Sequence, residues 1–154
     1  MKKITFMLSF VLISTWAFSQ APNFSGEWTL DPAKSKMSAE FSMAPTKLKI
    51  EQNGNAMKVE KTSSFMDQTN TTTENLTLDG KESTNEAFMG SQKKSTAVVA
   101  DDKKSIKVVS KIVFDGGEVN TTEVYRMDGN NLVIDTKSTS SFGDQDESYV
   151  YVKK

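Results

Sequence analysis

The chain has 154 residues, 36% of them hydrophobic, and a formal net charge of −1. It contains neither cysteine nor histidine, which excludes a structural disulfide, a Cys nucleophile, a Ser–His–Asp site and the commonest transition-metal ligand. Acids and bases nearly balance and Arg126 is the one arginine, so the Arg-rich basic excess of a nucleic-acid binder is missing.

The first segment reads as a leader. Lys2 and Lys3 precede an uncharged, largely apolar run from Ile4 to Phe18, and Ala17-Phe18-Ser19 places small residues ahead of a cut before Gln20. That is the layout of a cleavable signal peptide. The run falls short of the ~20 apolar residues that a membrane span needs. The expectation is therefore a signal peptide over 1–19 and a single domain over 20–154, exported to the periplasm or the medium, with no membrane span after cleavage.

The remaining chain alternates apolar and polar residues in segments separated by turn chemistry, as antiparallel strands do. Ser25 to Leu30 puts Trp28 and Leu30 on one face; Thr46 to Gln52 does the same with Leu48 and Ile50. Asn53-Gly54-Asn55 predicts a tight hairpin. Ala56 to Met66 carries Met57, Val59 and Phe65 in phase, and Asn70 to Leu78 turns Leu76 and Leu78 inward. Asp79-Gly80 reads as a turn, Glu82 to Met89 as a strand with Ala87, Phe88 and Met89, and Lys93 to Ala100 as the next. The clearest alternation follows, with Ile106, Val108, Ile112 and Phe114 in phase. Val119 to Met127 puts Tyr125 and Met127 on one face and turns Arg126 outward. Leu132 and Ile134 open a Ser/Thr-rich strand, Phe142-Gly143-Asp144 breaks it, and Ser148 to Lys153 closes the chain. The expected fold is all-β: an antiparallel up-and-down barrel of about 8–10 strands, closed because closure removes exposed edges. An open sandwich is the alternative.

Asp31 to Pro45 lacks alternation and is long for a connection. It carries Met37, Phe41 and Met43, and Met37 and Phe41 suit a plug for one barrel end. The acids of Asp144, Asp146 and Glu147 read as solvated turn residues. They show no calcium-loop pattern, so no metal site is expected.

Asn23-Phe24-Ser25-Gly26-Glu27-Trp28-Thr29-Leu30 is a Phe-x-Gly-x-Trp-x-Leu opening. It resembles the first strand of the lipocalin and fatty-acid-binding proteins, the calycin group. Asp31-Pro32-Ala33-Lys34-Ser35-Lys36, the Ile50 to Asn55 hairpin and the closing Tyr149 to Lys154 look like exported bacterial members of that group, most of which lack an assigned activity. The resemblance implies a barrel whose base is closed by Trp28 near Gly26, with a late basic side chain, Lys153 or Lys154, over the indole.

In such a barrel the in-phase Met57, Phe65, Phe88, Phe114, Tyr125 and Met127 make an adaptable apolar pocket. The competing reading is that these side chains simply fill the interior. The functional expectation is binding of a small hydrophobic or amphipathic ligand, without cofactor or catalysis. The alternative is an interaction or inhibitor module that uses a filled barrel as scaffold and the Asp31–Pro45 connection as its contact surface.

Overall fold

The computed structural model describes residues 21–38, 42, 44–65, 68–87, 90–141 and 143–154, with the Phe65 side chain left aside. The leader therefore lies outside the described residues. Ten strands follow one another: β1 Gly26–Leu30, β2 Lys47–Asn53, β3 Ala56–Phe65, β4 Gln68–Thr77, β5 Asp79–Glu86, β6 Gln92–Val99, β7 Ser105–Phe114, β8 Gly117–Asp128, β9 Asn131–Ser140 and β10 Gly143–Lys153.

All are antiparallel neighbours in one sheet, ordered β4-β3-β2-β1-β10-β9-β8-β7-β6-β5. The first and last strands therefore sit side by side in its middle, with Trp28 opposite Lys153 and Leu30 opposite Tyr151. Curling this sheet brings its two edge strands, β4 and β5, together. They are separated in the chain by Leu78 alone, yet no ladder joins them. A side chain spans the seam instead. Asn85 on β5 accepts the Asn75 N–H of β4 at 2.8 Å and donates its amide to the Asn75 carbonyl at 3.1 Å. One carboxamide thus supplies the donor–acceptor pair that a neighbouring backbone would have provided.

Two boundaries differ from the sequence reading. The fifth strand begins at Asp79, because Gly80 adopts φ +79° and the register shifts between Asp79 and Glu82. A glycine bulge continues the strand where a turn was expected. The last strand begins at Gly143 and includes Asp144, Asp146 and Glu147. Their backbones pair with Thr139, Lys137 and Thr136 of β9, so these acids belong to a ladder, and Glu147 is buried.

The core collects the apolar phase of the strands near the chain ends: Phe24, Trp28, Leu48, Ile50, Met57, Val59, Leu76, Leu78, Ala97, Ile106, Val108, Tyr125, Leu132, Ile134, Tyr149 and Tyr151. Each large aliphatic side chain buried there contributes about 1.5–3 kcal/mol. The segment after β1 runs beside β10, with Lys36 bridging to Ser148 and the Val150 N–H donating to Ser35 Oγ at 2.9 Å. Its Met37 packs against the core; Phe41 and Met43 lie outside the described residues.

Candidate functional site

The base is built around Trp28, whose indole N–H donates to the Phe24 carbonyl at 2.9 Å. The Lys153 ammonium stands 5.5 Å from the Trp28 ring centroid, within cation–π range. Lys154 turns away to pair with Glu27 on the surface at 3.6 Å. Gly26 has φ +145°. A Cβ there would meet Lys153 Cε at 3.1 Å and Trp28 Nε1 at 3.6 Å, so the glycine is needed for its conformation and for the space it leaves.

Of the six residues expected to line a pocket, the four whose side chains are described do not assemble into one. Met57 and Tyr125 are fully buried within the packed core. Phe114 is 37% exposed and Met127 41% exposed, which corrects the reading of both as pocket residues. Phe114 occupies the last ladder position of β7, opposite Gly117, while Met127 lies beside the β8–β9 turn at the other end of the barrel. Alternation assigns a residue to a face and says nothing of its height along the strand. The Phe65 side chain and Phe88 lie outside the described residues. Arg126 is on the outer face, paired with Asp135 at 3.0 Å.

Above the apolar base the interior is charged. Lys61 Nζ donates to Glu123 Oε1 at 2.7 Å and Oε2 at 2.9 Å, and stands 3.4 Å from Glu74 Oε2. Lys93 Nζ donates to the same Glu74 oxygen at 2.9 Å and lies 4.0 Å from Glu123 Oε2. Ser95 Oγ donates to Glu74 Oε1 at 2.6 Å. These side chains come from β3, β4, β6 and β8, so the cluster crosses the barrel and both sides of the β4–β5 seam.

Burial governs their ionisation and is opposed by the counter-charges. Desolvation alone would lower the Lys61 pKa, but Glu123, Tyr125 and Glu74 outweigh it and hold the ammonium well above its ordinary value. Desolvation would raise Glu74, but Lys61, Lys93 and the Ser95 hydroxyl bring it down to about 2. The Tyr125 phenol is pushed up, first by burial and then by Glu123. Glu147 is buried on the same inner face; its Oε1 accepts the Ser38 N–H at 2.7 Å and its Oε2 accepts the Tyr149 hydroxyl.

The sequence held a signal for this cluster. Lys61 is in phase with Met57 and Val59, Glu74 with Leu76 and Leu78, Lys93 with Ser95 and Ala97, and Glu123 with Tyr125. A charged residue in an inward phase is the pointer, since unpaired burial of charge is prohibitively costly.

Next to the charges runs a band of hydroxyls. Ser95, Ser110, Thr121 and Ser138 stand opposite one another across β6, β7, β8 and β9 on the inner face. Ser95 and Ser110 are buried, and Thr121 Oγ1 and Ser138 Oγ are 3.2 Å apart. Two surface depressions lie outside the barrel wall. One, of about 140 Å³, is bounded by residues including Glu27, Lys47, Lys49, Glu60 and Thr62, and is small beside the ~300 Å³ or more of a typical ligand site. The other is bounded by Gln92, Lys94, Lys111 and Val113.

A scan against protein-family models finds no match, and a search of curated proteins finds none either. Among solved structures, the zebrafish ileal bile acid-binding protein complexed with cholic acid is similar, with a TM-score of 0.58 and 17% identity over 85% of this chain and 98% of that one. At that identity the likeness is one of fold. The chain is an all-β, ten-stranded, up-and-down barrel of the lipocalin and fatty-acid-binding-protein type.

Proposed function

We propose that this protein binds a small amphipathic molecule in the part of the barrel interior that lies beyond its apolar base. The supporting observation is the polar layer of Lys61, Glu74, Lys93 and Glu123 with the hydroxyl band beside it. A barrel that needed only a core would fill this space with carbon, because a buried ion pair is often no more stable than a hydrophobic replacement. Small barrels of this kind either fill with side chains or hold one small ligand, and the neighbouring fold is that of a protein complexed with cholic acid. The reading assigns binding and no catalysis. It also places the protein outside the cytoplasm after loss of the 1–19 leader, which N-terminal sequencing of the envelope or culture-medium form would check.

Nile red titration of the mature protein tests the binding site. The expected result is a saturable blue shift that Thr121→Trp or Ser138→Trp abolishes while circular dichroism stays unchanged. Binding that survives both substitutions places the site elsewhere. A second reading, a filled scaffold in which the ionic cluster only braces the barrel, is favoured by the way that cluster ties β4 to β6 across the seam. It predicts no saturable binding at all.

A further inference from the structure

The proposed site has a chemical preference that its charges reveal. Each described buried lysine already has its carboxylate, and each buried carboxylate has its hydrogen-bond donors. Lys61 is chelated by both oxygens of Glu123. Lys93 and Ser95 occupy the two oxygens of Glu74. Glu147 is taken by the Ser38 amide and the Tyr149 hydroxyl. The described inner-face charges here are two ammoniums and three carboxylates, so the wall is slightly acidic. A ligand carboxylate entering it would find no unpaired cation among the described residues of this cluster, and would have to displace a buried glutamate from its lysine.

The groups left over are uncharged. Among the described residues, three buried hydroxyls lack a partner at hydrogen-bonding geometry: Thr77 Oγ1 is at the end of β4, and the other two, Tyr125 Oη and Thr136 Oγ1, stand beside the charged cluster. Both residues are more than nine-tenths buried. Thr136 stands directly between Glu123 and Glu147 in the ladder, and the Tyr125 phenol faces Glu123, Lys61 and Glu74. Leaving a buried hydroxyl without a partner is costly, so Thr136 is where a ligand group gains most, ahead of Tyr125, whose phenol also has the Lys61 ammonium beside it. The adjoining Ser110, Thr121 and Ser138 add only hydroxyls.

We infer that the polar part of the ligand is uncharged and hydrogen-bonding (hydroxyl, ether or amide) and that a carboxylate is rejected. This rests on the reading of the interior as a binding site. It separates the chain from its structural neighbour, whose cholic acid partner is an acid.

Three probes of equal chain length test the inference by calorimetric titration at neutral pH: monolaurin, laurate and dodecylamine. Monolaurin binds at least about tenfold more tightly than either charged probe, a gap of about 1.4 kcal/mol. Laurate or dodecylamine binding as tightly as monolaurin overturns the inference and leaves the binding reading standing. No binding by any probe overturns both. Glu123→Gln supplies an independent arm, because it keeps the side-chain shape and leaves Lys61 and Lys93 to share the single carboxylate of Glu74. The variant gains laurate affinity by about tenfold or more relative to the parent. A folded variant, checked by circular dichroism, that gains none also overturns the inference. If the variant does not fold, the ranking of the three probes on the parent protein decides alone.

Discussion

Around Trp28 the interior is closed by carbon; around Lys61 it is closed by charge. The first region is tolerant, because hydrophobic side chains of similar volume exchange at modest cost. The second is not, because each ion is buried only by virtue of its partner. The same ten strands run through both. The difference therefore lies in which inward positions hold Leu, Ile, Val and aromatic residues and which hold Lys, Glu, Ser and Thr. It teaches that the fold needs the first region, while the second is where the chain departs from what a barrel requires.

The largest expected effect tests this directly. Lys61→Met leaves Glu123 with Lys93 at 4.0 Å as its remaining cation, and urea denaturation should show a loss of about 3–5 kcal/mol. The double replacement Lys61→Met, Glu123→Met should recover most of that loss. If the single variant is as stable as the parent, the contrast between the two regions collapses.

Acid gives the next effect. The ordinary pKa of Glu74 is 4.5 and its folded value is about 2. A depressed carboxylate stabilises the folded state above its unfolded pKa and loses that contribution as pH falls through the folded one. Melting temperature should therefore fall between pH 4.5 and 2, with roughly 3 kcal/mol at stake for this group. Glu74→Gln should flatten that part of the profile; an unchanged slope would remove Glu74 from the account.

In the carbon-closed base the expected costs are smaller. Gly26→Ala forces a side chain into a φ that L residues rarely adopt and against Lys153 Cε, for about 1–3 kcal/mol by thermal or chemical denaturation. Lys153→Gln removes the cation over Trp28 and should cost under about 1 kcal/mol. Its clearest readout is a change in Trp28 emission, and an unaltered spectrum would mean that the ammonium does not sit on the ring in solution.

Alternation made the strands legible in the sequence, because a period of two assigns faces without reference to anything distant, while the Trp28 base was legible only through the resemblance of its opening motif to the calycin group. The pocket was not legible in the same way. Phe114 and Met127 have the inward phase, but they stand at opposite ends of the barrel, and strand height depends on pairing register. The Lys61–Glu123 contact joins residues from strands that are not neighbours in the sheet, so it needed the closed shape to be seen. The acids of β10 read as a solvated turn because composition alone cannot tell a ladder from a loop. Asn85 gave no signal: an asparagine that replaces a missing strand partner looks like any polar strand residue.

The unlaced seam has a consequence for how this chain could be rewired. The first and last strands, β1 and β10, are bonded together in the middle of the sheet, whereas the sheet's natural margins meet at Leu78. Joining Lys154 to Ala21 and opening the chain beside Leu78 would leave every ladder intact. The circular permutant would run from β5 through β10 into β1 and on to β4, with every hydrogen-bonded pair consecutive in sequence. The pairing of Trp28 with Lys153 would become a local hairpin, while the Asn75–Asn85 and Glu74–Lys93 contacts across the seam would become the most distant in the chain. Distant contacts slow folding, so the natural order makes barrel formation wait on the β1–β10 ladder, whereas the permutant would wait on a seam that has no ladder to draw it shut.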